Sequence, residues 1–340
     1  MSSDPTLDGM PLEITESIVA FLPLADICSL RLTARNVSVK SSTGVFKSHF
    51  RNKRIALNDF DRLEQAVYIA GLQSCSSLLE SLTLVADRAV FDGDLQQGGK
   101  TRAQLLGRAL ELFCLNSTRG CLPSISLVVD GRVKEDRYSP YDMAVYMDQQ
   151  RQAPQNERSI CETTAQSFND TLQVIAKHNL PIEDLNIFGN LSGDSLHCDQ
   201  VTSLLAKADL STSLQGLKQL SMSLTYYDAN DTVHTQQASF GKTMTQGICQ
   251  LLQLCHSLKD LKIHWYTTPP SLFNRNGSRD ATQSEEHQLL TRIAESCQFS
   301  SLERLTLRGI HTTAPALLLF LRLLQLRSFK MEEVHLSPSF

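Results

Sequence analysis

Ser195 is the residue best placed by type and spacing to do covalent chemistry, because it stands in the run Gly193-Asp194-Ser195-Leu196. A serine nucleophile needs an imidazole base and a carboxylate that orients that base. The C-terminal region offers no Asp-x-x-His, only Glu332 and His335 at that spacing, and residues 190–192 separate the serine from the strand expected over 185–188. Gly99-Lys100-Thr101 and Gly241-Lys242-Thr243 look like the ends of phosphate loops. The first glycine of such a loop lies five positions before the second, where this chain has Asp94 and Gln236, so the backbone cradle is missing. None of the cysteines forms a Cys-x-x-Cys pair, and Cys249, Cys255 and His256 read as one helix rather than a zinc site. Trp265 reads as packing or rim beside a strand end. The sequence therefore predicts no catalytic residue, no metal and no cofactor, and a chain that is not an enzyme.

Any other function has to come from surfaces, and so from the elements that build them. The chain of 340 residues is 41% apolar and 20% charged, enough to bury a core and stay in solution. Its net charge of -4 argues against a general electrostatic grip on nucleic acid. The N-terminus has Asp4 and Asp8 but no basic residue and no apolar core of a signal peptide. The most apolar stretch, 314–326, is too short for a bilayer and is interrupted by Arg322. These features predict no membrane association and a cytoplasmic or nuclear protein.

The first ordered unit is helical. Ile14, Ile18 and Leu22 recur every four residues, and Pro11 suits a first-turn position. Glu13 and Glu16 lie early, where the helix dipole favours negative charge, and Pro23 stops the helix. A second helix runs from about residue 24 to 34, with Ile27, Leu30 and Ala34 as its stripe and Arg31 and Arg35 near its end. A third segment at 41–50 is anchored by Val45, Phe46 and Phe50. Three short helices in 8–54 make a small core that needs help from a partner. The basic cluster Lys47, His49, Arg51, Lys53 and Arg54 reads as a solvated helix end near Asp59 and Asp61.

Met10-Pro11-Leu12-Glu13-Ile14, Ile18, Phe21-Leu22-Pro23-Leu24-Ala25-Asp26-Ile27, Leu30-Arg31-Leu32 and Arg35 together resemble the F-box pattern. The pattern departs in having Met10 at its start, and Val37 and Ser38 where an aromatic often stands. The resemblance implies a Skp-type adaptor as partner, bound through Pro11, Leu12, Ile14, Ile18, Leu22, Pro23, Leu24, Ile27 and Leu30.

Residues 55–340 repeat a short box: apolar, two variable, apolar, one variable, apolar. It starts at Leu79, Leu122, Ile182, Leu217, Leu258, Leu302 and Leu326, and most boxes follow a helix-like stretch. Helices alternating with short strands predict an α/β domain with parallel strands, because parallel crossovers need that length. The spacing is irregular and resembles the degenerate leucine-rich repeats that follow an F-box in fungal proteins. That resemblance implies an α/β solenoid; an open α/β sheet without its curvature is the rival architecture. Polar insertions fall near 130–162, 226–237 and 267–284.

Strand alternation turns one set of side chains away from the core. It predicts Ser81, Thr83 and Val85 outward, then Asp184, Asn186 and Phe188, then Gln219, Ser221 and Ser223. Further along it predicts Asp260, Lys262 and His264, then Arg304, Thr306 and Arg308, a row growing more basic toward the C-terminus. Asp184, Asn186, Phe188, Lys262, His264, Arg304 and Arg308 are the candidate target-binding residues. With the F-box resemblance, the expected function is the substrate-recognition subunit of a cullin–RING ubiquitin ligase. The alternative is a repeat-type interaction scaffold without a ligase. The Gly193–Leu196 box is similar to the nucleophile box of GDSL-type esterases, a reading the missing partners weaken.

Overall fold

The computed structural model describes residues 6–87, 101–122, 124–130, 162–189, 195–226, 237–267 and 279–337. Within them the chain is α/β with a mostly parallel sheet. It begins with a cluster of short helices: α1 (Leu12–Val19), α2 (Leu24–Arg31), α3 (Arg35–Lys40) and α4 (Gly44–Arg51). Pro11 is the N-cap of α1 and Pro23 that of α2, so each proline ends one segment and launches the next. α3 occupies a stretch that the apolar pattern left unassigned. Val19, Ile27 and Phe46 form the small core of this cluster, with Leu22, Leu24, Leu30, Val45 and Phe50 partly buried against it.

The large sheet follows. Its strands are β1 (Asn52–Ala56), β2 (Ser81–Asp87), β3 (Ile125–Asp130) and β4 (Asp184–Ile187). They continue with the short β5 (Leu196–His197), β6 (Gln219–Tyr226) and β7 (Asp260–Thr267). β8 (Arg304–Arg308), β9 (His311–Thr313), β10 (Ser328–Glu332) and β11 (His335–Ser337) complete the set. The pairing order is β1-β2-β3-β4-β6-β7-β8-β10, with every pair parallel; β5 adds to β6, and β9 and β11 pair separately. The order never reverses, unlike a doubly wound sheet. Right-handed crossovers between strands that always advance the same way place the connecting helices on one face.

Those helices include α5 (Phe60–Gly71), α7 (Arg102–Asn116), α8 (162–177) and α9 (Cys198–Leu205), with the short α6 (Gln73–Ser76) and α10 (Ser211–Leu214) between them. α11 (Gln237–Leu254), α12 (Arg279–Ser296) and α13 (Ala314–Arg322) complete the layer. Their starts are chemically marked. Asp59 caps α5, Thr101 and Gln104 form a reciprocal capping box on α7, and Thr313 caps α13 with a proline in its first turn.

All seven boxes become strands in the same register. The third apolar positions of six of them, Leu84, Leu127, Ile187, Met222, Ile263 and Leu307, are buried in one core, while that of the last, Met331 on β10, is exposed. The first position of six boxes, from Leu79 to Leu302, is buried in the same core where the chain turns into the strand. Trp265 and Phe168 fill that core as well.

Some expectations are corrected. Lys53 and Arg54 do not end a helix but lie in β1, an edge strand; charged side chains on an edge discourage unwanted pairing. The third insertion gives way to α12 at Arg279, so residues 279–284 are helical. The remainder of the three insertions, residues 131–161, 227–236 and 268–278, lies outside the described residues.

Candidate functional site

Two surfaces answer to the sequence expectations. The first is the outside of the helical cluster. Leu12, Ile14 and Ile18 on α1 are exposed, and Phe21 and Leu32 are each 88% exposed. Ile14, Ile18 and Phe21 follow helical spacing and share one side. Their neighbours Thr15 and Val19 point inward instead. The adaptor set predicted from the sequence therefore divides. Pro11, Leu12, Ile14, Ile18 and Pro23 are open to solvent. Leu22, Leu24 and Leu30 are partly buried against the cluster's own core, and Ile27 is fully buried in it. Ile27 is a core residue and not a contact residue. Apolar periodicity does not separate these faces, because α1 carries apolar residues both inside, at Val19, and outside, at Ile14 and Ile18. Phe21 and Leu32 are the exposed apolar residues it missed.

The module is held from within by polar anchors. Lys40 Nζ donates to the Asp8 and Met10 carbonyls at 2.9 and 2.6 Å, tying down the N-terminal segment. The Thr43 hydroxyl donates to Glu16 at 2.7 Å. The Arg31 guanidinium lies 4.0 Å from the centre of the Phe46 ring, which meets Phe50 edge-on. The aromatics of the third segment thus close the cluster.

The second surface is the face of the sheet turned from the core. Asp184, Gln219, Asp260 and Arg304 align in register across β4, β6, β7 and β8. The next row, Thr83, Ser126, Asn186, Ser221, Lys262 and Thr306, is mostly small. That run of small side chains leaves a groove of ≈ 190 Å³ bordered by Asp184, Asn186, Gly189, Asp260, Lys262 and His264. Gly189 is required there: a Cβ would lie 2.1 Å from Ser221 Oγ, and the glycine N–H donates to Asn186 Oδ1 at 2.8 Å.

Three residues predicted to be open on this face are buried. Phe188 has a φ of 55°, which breaks the alternation after Ile187 and puts both side chains in the core. Val85 and Ser223 are also buried, the latter with its hydroxyl 3.0 Å from that of Ser195. The expected basic trend is largely neutralised. Arg304 Nε donates to Asp260 at 2.9 Å, and Arg308 faces Glu332 and Glu333 at 3.6 and 3.5 Å. Burial lowers the His264 pKa, with Arg308 and Lys262 acting the same way against Glu332 and Glu333, which favours the neutral ring. Burial raises the Asp184 pKa; the Ser124 hydroxyl, donating at 3.2 Å, and Lys262 oppose this, and Asp260 adds to it.

Parts of the enzyme-like motifs fall within the described residues. Ser195 is buried and faces the Ser223 hydroxyl, while the His197 imidazole pairs with Asp199. Gly241-Lys242-Thr243 lies inside α11 rather than in a loop before a helix. Gly99, Lys100, Gly193 and Asp194 lie outside the described residues. Among the described residues no group of three or more metal-ligating side chains gathers, and no helix is long and apolar enough to cross a membrane. Among the described residues the free thiols other than Cys28 are buried; Cys255 is pushed up to about 12 by burial alone. No family model matches the chain, and no curated protein is significantly similar to it.

Proposed function

We propose that this chain is a substrate-recognition subunit of a cullin–RING ubiquitin ligase. In this reading the helical cluster is an F-box that binds a Skp-type adaptor, and the repeats form a leucine-rich-repeat solenoid that binds the target protein. The observation that carries it is the contrast between the few buried apolar side chains of the cluster, Val19, Ile27, Val37 and Phe46, and the exposed Leu12, Ile14, Ile18, Phe21 and Leu32 around them. Burying an aliphatic or aromatic side chain is worth about 1.5–3 kcal/mol, so a marginal module gains most by covering these residues with a partner. The strands that advance in chain order beside a single helical layer support the solenoid. Such a subunit performs no bond chemistry. It raises the effective concentration of target lysines near a charged conjugating enzyme.

Co-expression with a Skp-type adaptor tests this reading. A stoichiometric complex is expected, abolished by Ile14→Asp with Ile18→Asp, two exposed positions whose change spares the internal core. Absence of a complex with the unaltered chain would leave the interaction scaffold without a ligase as the better reading.

A further inference from the structure

The groove on the open face combines a buried acceptor with no partner and a second carboxylate two strands away. Asp260 is only 6% exposed, and its Oδ2 accepts from Arg304 Nε at 2.9 Å. Its Oδ1 is buried and has no hydrogen-bond partner. A buried polar oxygen left unpaired in this way is costly, so it marks a place where a donor belongs. Asp184 stands in the same row, with Gln219 between them on β6. Two strand spacings separate their backbones by about 9.6 Å. Between and beside them lie the small Ser126, Asn186 and Ser221, so the floor is shallow and hydrogen-bonding rather than apolar.

The volume, ≈ 190 Å³, is below the ~300–1,000 Å³ of small-molecule sites and suits one long side chain. We propose that the groove receives the guanidinium of an arginine in the bound polypeptide, donating to Asp260 Oδ1 and to Asp184. This rests on reading the open face as the target-binding surface. A planar guanidinium offers five donors in a fixed fork and is weakly hydrated, so it can bridge two acceptors whose side chains reach toward each other from strands two spacings apart in a partly dry groove. A lysine ammonium is a compact, strongly hydrated charge that reaches one of them. Arg304 already uses this chemistry on the other oxygen of Asp260, and the incoming arginine completes the carboxylate. Lys262 borders the same groove and disfavours a ligand carrying a second cation nearby.

The test is titration of the full-length protein with acetyl-Gly-Arg-Gly-amide, read from amide shifts in β4, β6 and β7. Saturable shifts are expected, with affinity falling about tenfold or more for the citrulline peptide and about fivefold or more for the lysine peptide. Asp260→Asn should lose at least tenfold. Because that change also weakens the Arg304 pair, Asp184→Asn is the second variant: it should lose several-fold with an unchanged melting midpoint. Equal binding of arginine, lysine and citrulline peptides, or unmoved amides, overturns the guanidinium assignment. Target capture by a Lys262→Glu, Thr306→Arg protein judges the face separately. If capture is lost while the peptide fails to bind, the face stands and the guanidinium assignment falls. If capture persists, the target-face reading falls, and the assignment with it.

Discussion

The helical cluster at the N-terminus and the sheet that follows it solve the burial problem in opposite ways. The sheet and its helices share one continuous core, from Ile55 on β1 to Phe320 on α13. The cluster has Val19, Ile27 and Phe46 fully inside and leaves Phe21 and Leu32 almost wholly in water. A region that can finish its own core needs no partner to be stable. One that cannot leaves apolar side chains in water, which is what the proposed interface would cover. The same contrast holds for charge. Around the sheet, Arg304, Arg308, Arg119 and Lys218 each find a carboxylate, whereas Asp260 Oδ1 in the groove is buried with no hydrogen-bond partner, as is His264 Nδ1 beside it.

Substitutions can sharpen or break this contrast. The largest effect is expected in the sheet: Phe168→Ala, at a fully buried side chain on α8, should destabilise by about 3–5 kcal/mol in urea unfolding. The matching change in the cluster, Ile14→Asp with Ile18→Asp, should move the same unfolding curve by less than about 0.5 kcal/mol while abolishing the adaptor complex. Equal stability losses at both places would erase the distinction between the two regions.

Next is Gly309, in the turn between β8 and β9. Its φ is 68°, and a Cβ there would stand 2.2 Å from the Trp265 carbonyl oxygen. Gly309→Ala should cost more than the ~1–2 kcal/mol of left-handed backbone alone, because a neighbouring strand must also shift. Thermal melting checks this, and a neutral outcome would show the last strands to be less fixed than their hydrogen bonds imply.

Arg31→Ala removes the cation from the Phe46 face and should weaken the cluster by about 0.5–2 kcal/mol. The loss should appear as faster amide exchange in α2 and α4, with the melting midpoint of the sheet unmoved.

The smallest effect is electrostatic. Lys218, bonded at 2.5 Å, lowers the Glu183 pKa; partial burial opposes this, and Arg119 at 2.6 Å adds to it. A carboxyl with a folded-state pKa below its unfolded value stabilises above the unfolded value, about 4.3, and loses that contribution as pH falls through the folded one. The stability gap between the unaltered protein and Glu183→Gln should therefore be full near neutrality and close on acidification below about 4.3. A gap that is constant down to low pH would assign the effect to packing.

Much of this architecture was readable in the residues. Seven apolar boxes became seven parallel strands, and six of them turn their alternate apolar residues into the core; the last, on β10, leaves Phe329 and Met331 exposed. What escaped had weak patterns. β1 carries only Ile55 as a buried residue within Asn52–Ala56, and its Lys53 and Arg54 look like a helix end. β5, β9 and β11 are two or three residues long, too short to show a period. Phe188 followed the alternation in sequence and broke it in space through one left-handed residue. In the site, the shared outward face of Asp184, Asn186 and Lys262 was legible. The neutralising partners of Arg304 and Arg308 were not, since Asp260 is 44 residues from Arg304 and only strand pairing unites them. In the helical cluster, periodicity found the apolar residues but could not tell Ile27, which is inside, from Ile14, which is outside.

Amide hydrogen exchange across α1 to α4, with and without a Skp-type adaptor, tests the central claim most directly. An unfinished module should exchange at much lower opening free energies than the strands β2 to β8 when alone, and should gain protection along α1 and α2 when the adaptor is added. Protection of α1 to α4 equal to that of the sheet, unchanged by the adaptor, would contradict the account.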